Sequence, residues 1–170
     1  MMRLTLTGFC AFALLFLTCA AAHASQPRKI GNYSDWAAYE FTENGNKVCY
    51  MASQPTKHEG DYTRRGEIFA LITHRPGEGS RNVFNYIAGY PYRSGSDVTV
   101  TIDSRDFTLF TQDDTAWTPD QDADNRLAES IRRGSRMIVR GTSSRGTQTT
   151  DTFSLRGSAA AHDAITNACK

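Results

Sequence analysis

Four cysteines, four histidines and a run of closely spaced aspartates are the groups through which this 170-residue chain could do chemistry. Cys10 and Cys19 lie in an apolar N-terminal leader, whereas Cys49 and Cys169 sit near opposite ends of the remainder. Loss of the leader leaves two thiols, and their simplest use is one structural disulfide tying an early strand to the C-terminus. Closing a loop of that length is worth about 5 kcal/mol in the chain-entropy picture. The alternatives are two free thiols or a redox pair, and a redox pair normally has C-x-x-C spacing.

The other chemical candidates read weakly. Asp120-Gln121-Asp122-Ala123-Asp124-Asn125 begins like a calcium loop, but Asn125 replaces the turn glycine and Ile131 replaces the closing glutamate. Helix capping and a solvated acidic loop explain these residues better. His58, His74 and His162 show no spacing that places two metal ligands on one face, so neither a metal nor a cofactor is expected. His74 could serve a small hydrolase with Glu78 or Asp97, but no G-x-S-x-G elbow accompanies it. Gly141 to Thr147 lacks the Gly-Lys-Ser/Thr ending of a phosphate loop and reads as a hairpin connection. Tyr86, Tyr90 and Tyr92, near Asn85 and Arg93, could form an aromatic platform for a glycan or protein partner, or simply pack.

The leader has the three parts of a secretory signal: basic Arg3, an apolar run from Phe9 to Leu17, and Ala22-His23-Ala24 as an A-x-A cleavage site. The run is shorter than the roughly 20 residues of a membrane span. Cleavage after Ala24 is expected; lipidation at Cys19 is the lesser reading, because Thr18 stands where a small residue is wanted. Removing Arg3 with the leader brings the 19 Lys and Arg level with the 18 Asp and Glu. A neutral domain gives no electrostatic reason to expect nucleic acid or an anionic membrane as partner.

Alternation along the rest of the chain predicts strands over 35–41, 47–52, 67–74, 82–88, 97–102, 107–111, 136–141 and 149–155. Asn44-Gly45-Asn46 between the first two reads as a hairpin turn. Eight short strands separated by turn signals argue for an all-β sandwich or barrel. Two helices interrupt or close it. One spans 122–134, with Leu127 and Ile131 on one face, an aspartate cap and Gly134 as the stop, and is expected on a sheet edge. The other spans 158–168, capped by Ser158, with Ala161, Ala164, Ile165 and Ala168 as its apolar stripe. The expected organisation is a signal peptide over 1–24, an extended segment over 25–34 that acts as a spacer, and one domain over 35–170.

KVCYMASQP (47–55), THRPGE (73–78), IAGYPYRSGSDVTVTI (87–102) and the closing run from Val139 to Cys169 occur here in one order. Within that run, RGTSSRGTQTTDTFSLRG and the spaced A…AI…AC ending are the telling pieces. Together they resemble the invasion-associated locus B family of exported bacterial proteins, over most of the domain. The resemblance implies an immunoglobulin-like β-sandwich; with the two helices read above, the expected fold is an all-β, immunoglobulin-like β-sandwich with a short inserted helix and a C-terminal helix. It also implies a cell-envelope or periplasmic protein that is not an enzyme. Some relatives carry a second cysteine pair in the middle; Phe110 to Trp117 (FTQDDTAW) has none, so only Cys49 and Cys169 carry across.

The leading functional expectation is a non-catalytic protein that binds an unidentified protein or envelope component, with host contact suggested by the family's name alone. Its contacts are expected on loops 74–82 and 90–95, at His74, Arg75, Tyr90, Tyr92 and Arg93. The rivals are the His74 hydrolase and a purely structural envelope protein.

Overall fold

The computed structural model describes residues 25–170. The expected leader, with Cys10, Cys19 and the cleavage site after Ala24, lies outside the described residues. Among the described residues, no helix is long and apolar enough to cross a membrane.

Asn44 and Gly45 both have positive φ, 50° and 78°, as a two-residue type I′ hairpin requires. They join β2 (Trp36–Glu43) to β3 (Asn46–Ser53). Alternation then sorts the side chains: Trp36, Ala38, Cys49 and Met51 are buried, while Tyr39 and Tyr50 stack on the other face with ring centroids 5.0 Å apart. The segment before β2 is extended, as expected, but it is more than a spacer. Arg28–Tyr33 forms edge strand β1, paired with β2, and the Ser25 N–H donates to the Thr42 carbonyl at 3.0 Å. Its backbone gains hydrogen bonds from a neighbour without any apolar alternation of its own.

The remaining strands are β4 (Lys57–Gly60), β5 (Phe69–Arg75), β6 (Ser80–Ile87), β7 (Val98–Ile102), β8 (Arg105–Gln112), β9 (Thr115–Trp117), β10 (Arg136–Thr142) and β11 (Gln148–Ser154). All pairs are antiparallel, in the order β1-β2-β3-β5-β6-β9-β8-β7-β10-β11-β4. The two halves meet through β8. Its first half, Arg105 to Leu109, pairs with β7, and its last residues, Phe110 to Gln112, pair with β9. A strand shared in this way carries the sheet from one layer to the other, so the fold is an all-β, sandwich-like one. Tyr86 of β6 meets Phe153 of β11 edge to face across the interior, and the Trp36 indole N–H donates to the Ser154 carbonyl at 3.1 Å.

Helix α1 (Gln121–Arg133) starts at Asp120, whose carboxylate accepts the Ala123 N–H at 2.7 Å. It buries Leu127 and Ile131 against β6, a central strand, rather than lying on an edge. Helix α2 (Ser158–Ala168) lies across β1, β2, β3 and β5. Its N-cap is Gly157, not Ser158; the Ser158 hydroxyl instead donates to the Ile131 carbonyl and locks α2 to α1. Gly157 has φ 90°, and a Cβ there would lie 1.8 Å from the Tyr33 carbonyl oxygen, so only glycine fits between β1 and the helix. Cys169, at the end of α2, is bonded to Cys49 of β3.

Candidate functional site

The stretch between β4 and β5 has no apolar period, yet it sends a charge into the core. The side chains of Arg65 and Asp151 are 4% and 0% exposed, and their ion pair is 2.7 Å long. Asp151 takes the inward position between Thr149 and Phe153 on β11 because alternation puts it there. Its two oxygens receive Arg65 Nη1 at 2.8 Å and Nη2 at 2.7 Å. The Tyr86 hydroxyl donates to the same carboxylate, and Arg65 Nε donates to the Ala88 carbonyl at 2.7 Å. A buried ion pair is tolerable only when its remaining hydrogen-bonding groups are filled in this way. Burial, the largest influence on Arg65, works against its charge, but the bonds to Asp151 and the nearby tyrosines more than reverse it, leaving its pKa raised. Burial and the Asp151 carboxylate push the Tyr86 hydroxyl upward, so it stays protonated and can donate.

The paired arginine is the floor of a cleft. Tyr62 and Tyr90 flank its guanidinium, with ring centroids 5.4 Å and 4.8 Å away. The Tyr90 hydroxyl is 2.6 Å from Thr149 Oγ1, and the Tyr62 hydroxyl is 2.6 Å from His58 Nδ1. The cleft encloses about 590 Å³ between residues 61–66, the Gly89-Tyr90-Pro91 bend and the turn after β10. Gly66 and Gly89 are held together, with the Gly66 N–H donating to the Gly89 carbonyl at 2.9 Å. Gly89 has φ 72°, and a Cβ there would come within 2.5 Å of the Gly66 carbonyl oxygen. The Ser144 N–H donates to the Pro91 carbonyl at 2.8 Å, and the Arg93 N–H to the Thr142 carbonyl at 3.0 Å.

Charge is uneven around this cleft. Arg64 and Arg145 line it, are exposed, and form no ion pair among the described residues. Asp61 is the acid in the same lining. Beyond the Gly89–Pro91 bend a second hollow is lined by Glu67, Asp113 and Asp114.

The five residues expected to make partner contacts divide between surface and core. Tyr90 is in the cleft, half-buried, and Arg93 is exposed beside it, with Nη2 close to Gly146. Arg75 is half-buried and paired with Glu43, with Glu78 3.7 Å away, on a different loop. Tyr92 is a correction: it is 7% exposed, packed edge to face against Tyr90 at 5.3 Å, and cannot present its ring to a partner. His74 is a second correction. It is 1% exposed, because β5 continues through it and turns it inward beneath α2. Its Nδ1 accepts the Asn82 N–H at 3.0 Å and its Nε2 lies 3.1 Å from Thr166 Oγ1. Burial, then His162 nearby, pushes the His74 pKa down to about 4. Among the described residues no carboxylate hydrogen-bonds it, and Glu78 is engaged with Arg75 at the exposed turn. Among the described residues, no group of three or more His, Cys, Asp or Glu is placed to hold a metal ion.

Tyr62, Arg64, Arg65 and Arg145 were not legible as site residues. Tyr62 and Arg65 stand more than 80 positions from Asp151, and only pairing of β4 with β11 brings them together. The usable signal was local: Thr63-Arg64-Arg65-Gly66 is a basic run without apolar period.

Fold and cleft define a class: a β-sandwich tied by one disulfide, with a polar and aromatic groove at one end. The family model described as Invasion associated locus B (IalB) protein matches residues 36–166, and the chain belongs to that family. No curated protein and no solved structure matches it.

Proposed function

We propose that this is an exported, non-catalytic binding protein of the periplasm or cell envelope, which recognises a protein or envelope component through the cleft around Tyr62, Tyr90 and Arg145. The observation that carries this reading is the pair of exposed arginines, Arg64 and Arg145, which line a preformed concavity and have no ion partner among the described residues. The floor is rigid because Arg65 is held by four hydrogen bonds. A rigid floor lowers the ordering cost of binding. Export is supported by the leader, by family membership and by the Cys49–Cys169 bond, which persists best in an oxidising compartment. A non-catalytic role is supported by the engagement of His74 in core hydrogen bonds.

The test is photocrosslinking in the native cell, with a photoreactive residue at exposed Ser144, beside Arg145 in the cleft, and, as control, at Arg136 on β10. Adducts specific to position 144 are expected. Equal labelling at both positions, or none at either, would sink the reading.

A further inference from the structure

We infer that the cleft is a subsite for an acidic carbohydrate, a chain of sugar rings bearing carboxylates, and this inference rests on the binding role proposed above. Three features choose the ligand class. Arg64 and Arg145 both line one hollow and have no carboxylate partner among the described residues, and a guanidinium fork fits a carboxylate. The same hollow is lined by the tyrosines Tyr62 and Tyr90 and by the hydroxyl residues Thr63 and Ser144, an amphipathic lining suited to rings with one apolar and one hydroxylated side.

The backbone argues against a peptide. The Gly89, Pro91 and Thr142 carbonyls already accept the N–H groups of Gly66, Ser144 and Arg93 respectively, so an extended chain finds few main-chain partners there. Recognition is left to side chains. The acids set the direction: Glu67, Asp113 and Asp114 line the hollow beyond the Gly89–Pro91 bend and repel a carboxylate, confining the ligand's charge to the arginine side. Asp61, which lines the same hollow as the arginines, accepts from a ligand hydroxyl rather than favouring a second acid.

The experiment is titration of the leaderless, disulfide-bonded protein with trigalacturonate, followed by amide chemical shifts. Maltotriose serves as the neutral sugar and pentaglutamate as the acidic peptide. Saturable shifts confined to residues 61–66, 89–93 and 143–147 are expected with trigalacturonate alone. They should weaken about tenfold or more in Arg145→Gln and in Arg64→Gln, the loss expected for one charge-assisted hydrogen bond, and Arg136→Gln should leave them unchanged. Equal binding of maltotriose or pentaglutamate, or no shift with any of the three, would overturn the acidic-sugar assignment. If crosslinks at position 144 persist in cells while trigalacturonate fails, the ligand class alone is wrong. If both fail, the binding role falls with it.

Discussion

Two side-chain clusters set what single substitutions do. Asp151→Ala leaves the Arg65 guanidinium buried with no counter-charge, and should cost about 3–5 kcal/mol of stability, read from urea unfolding. The double change Arg65→Met with Asp151→Leu should recover part of that loss, since the Tyr86 hydroxyl and Ala88 carbonyl lose their partners, while the tyrosines lose the cation between them. A double variant as unstable as Asp151→Ala would show that the pair itself holds the fold. His74 gives a pH dependence of definite sign. An unfolded histidine takes its proton near pH 6.5, whereas folded His74 resists until about pH 4. The unfolded chain therefore binds more protons between these values, and stability must fall as pH drops through that window. Burial, then Arg132, lowers the pKa of His162 as well, adding in the same direction. From pH 7.5 to pH 5 the His74 contribution is a loss of about 2 kcal/mol, and His74→Gln should flatten that part of the urea-midpoint profile. An unchanged slope in the variant would place the effect elsewhere.

Among the elements, those with their own pattern were legible and those that borrow a neighbour's hydrogen bonds were not. Helix α2 runs over the residues that its alanine and isoleucine stripe predicts, and the Asn44-Gly45 turn sets the β2–β3 register. Strand β4 is exposed at all four residues, β9 has three residues, and β1 has Gly31 at its centre, so none shows alternation. Their strand state comes from pairing with β11, β6 and β2. The same distinction governs the site. Tyr90 and Arg93 could be picked out because they lie in one short aromatic run, whereas His74 read as the exposed end of a strand, because Pro76-Gly77 follows it closely. The strand in fact persists through Arg75, and an inward histidine there finds Asn82 and Thr166 as partners. Helix α2 is also where the disulfide acts. Cys49→Ala with Cys169→Ala opens a 120-residue loop and should cost up to about 5 kcal/mol. Amide exchange should rise first in α2, which the bond pins to β3. Uniform acceleration across both layers, with α2 no faster than the rest, would mean that the helix is held by its packing on β1, β2, β3 and β5 instead.

At the scale of the molecule, β8 and the cleft do complementary work. By running from one half of the sheet into the other, β8 brings β6 opposite β11, and this places Tyr86 and Asp151 together under the cleft. The walls then depend on segments remote in sequence: residues 61–66, 89–91 and 143–147 meet through Gly66 to Gly89 and Pro91 to Ser144 backbone bonds. Gly89 is the most exacting point of that assembly, since its left-handed φ and the 2.5 Å approach of the Gly66 carbonyl both exclude a side chain. Gly89→Ala should therefore cost about 1–2 kcal/mol from the backbone conformation alone, and more if the 61–66 segment cannot move aside. Because the Cys49–Cys169 bond and the β2–β3–β5 layer lie away from this contact, far-UV circular dichroism and the disulfide should survive. Crosslinking from position 144 should fall to the level of the Arg136 control, because displacing 61–66 separates Arg64 and Tyr62 from Arg145. A folded, disulfide-bonded Gly89→Ala protein that still crosslinks at full yield would show that recognition does not require the three segments to be held together.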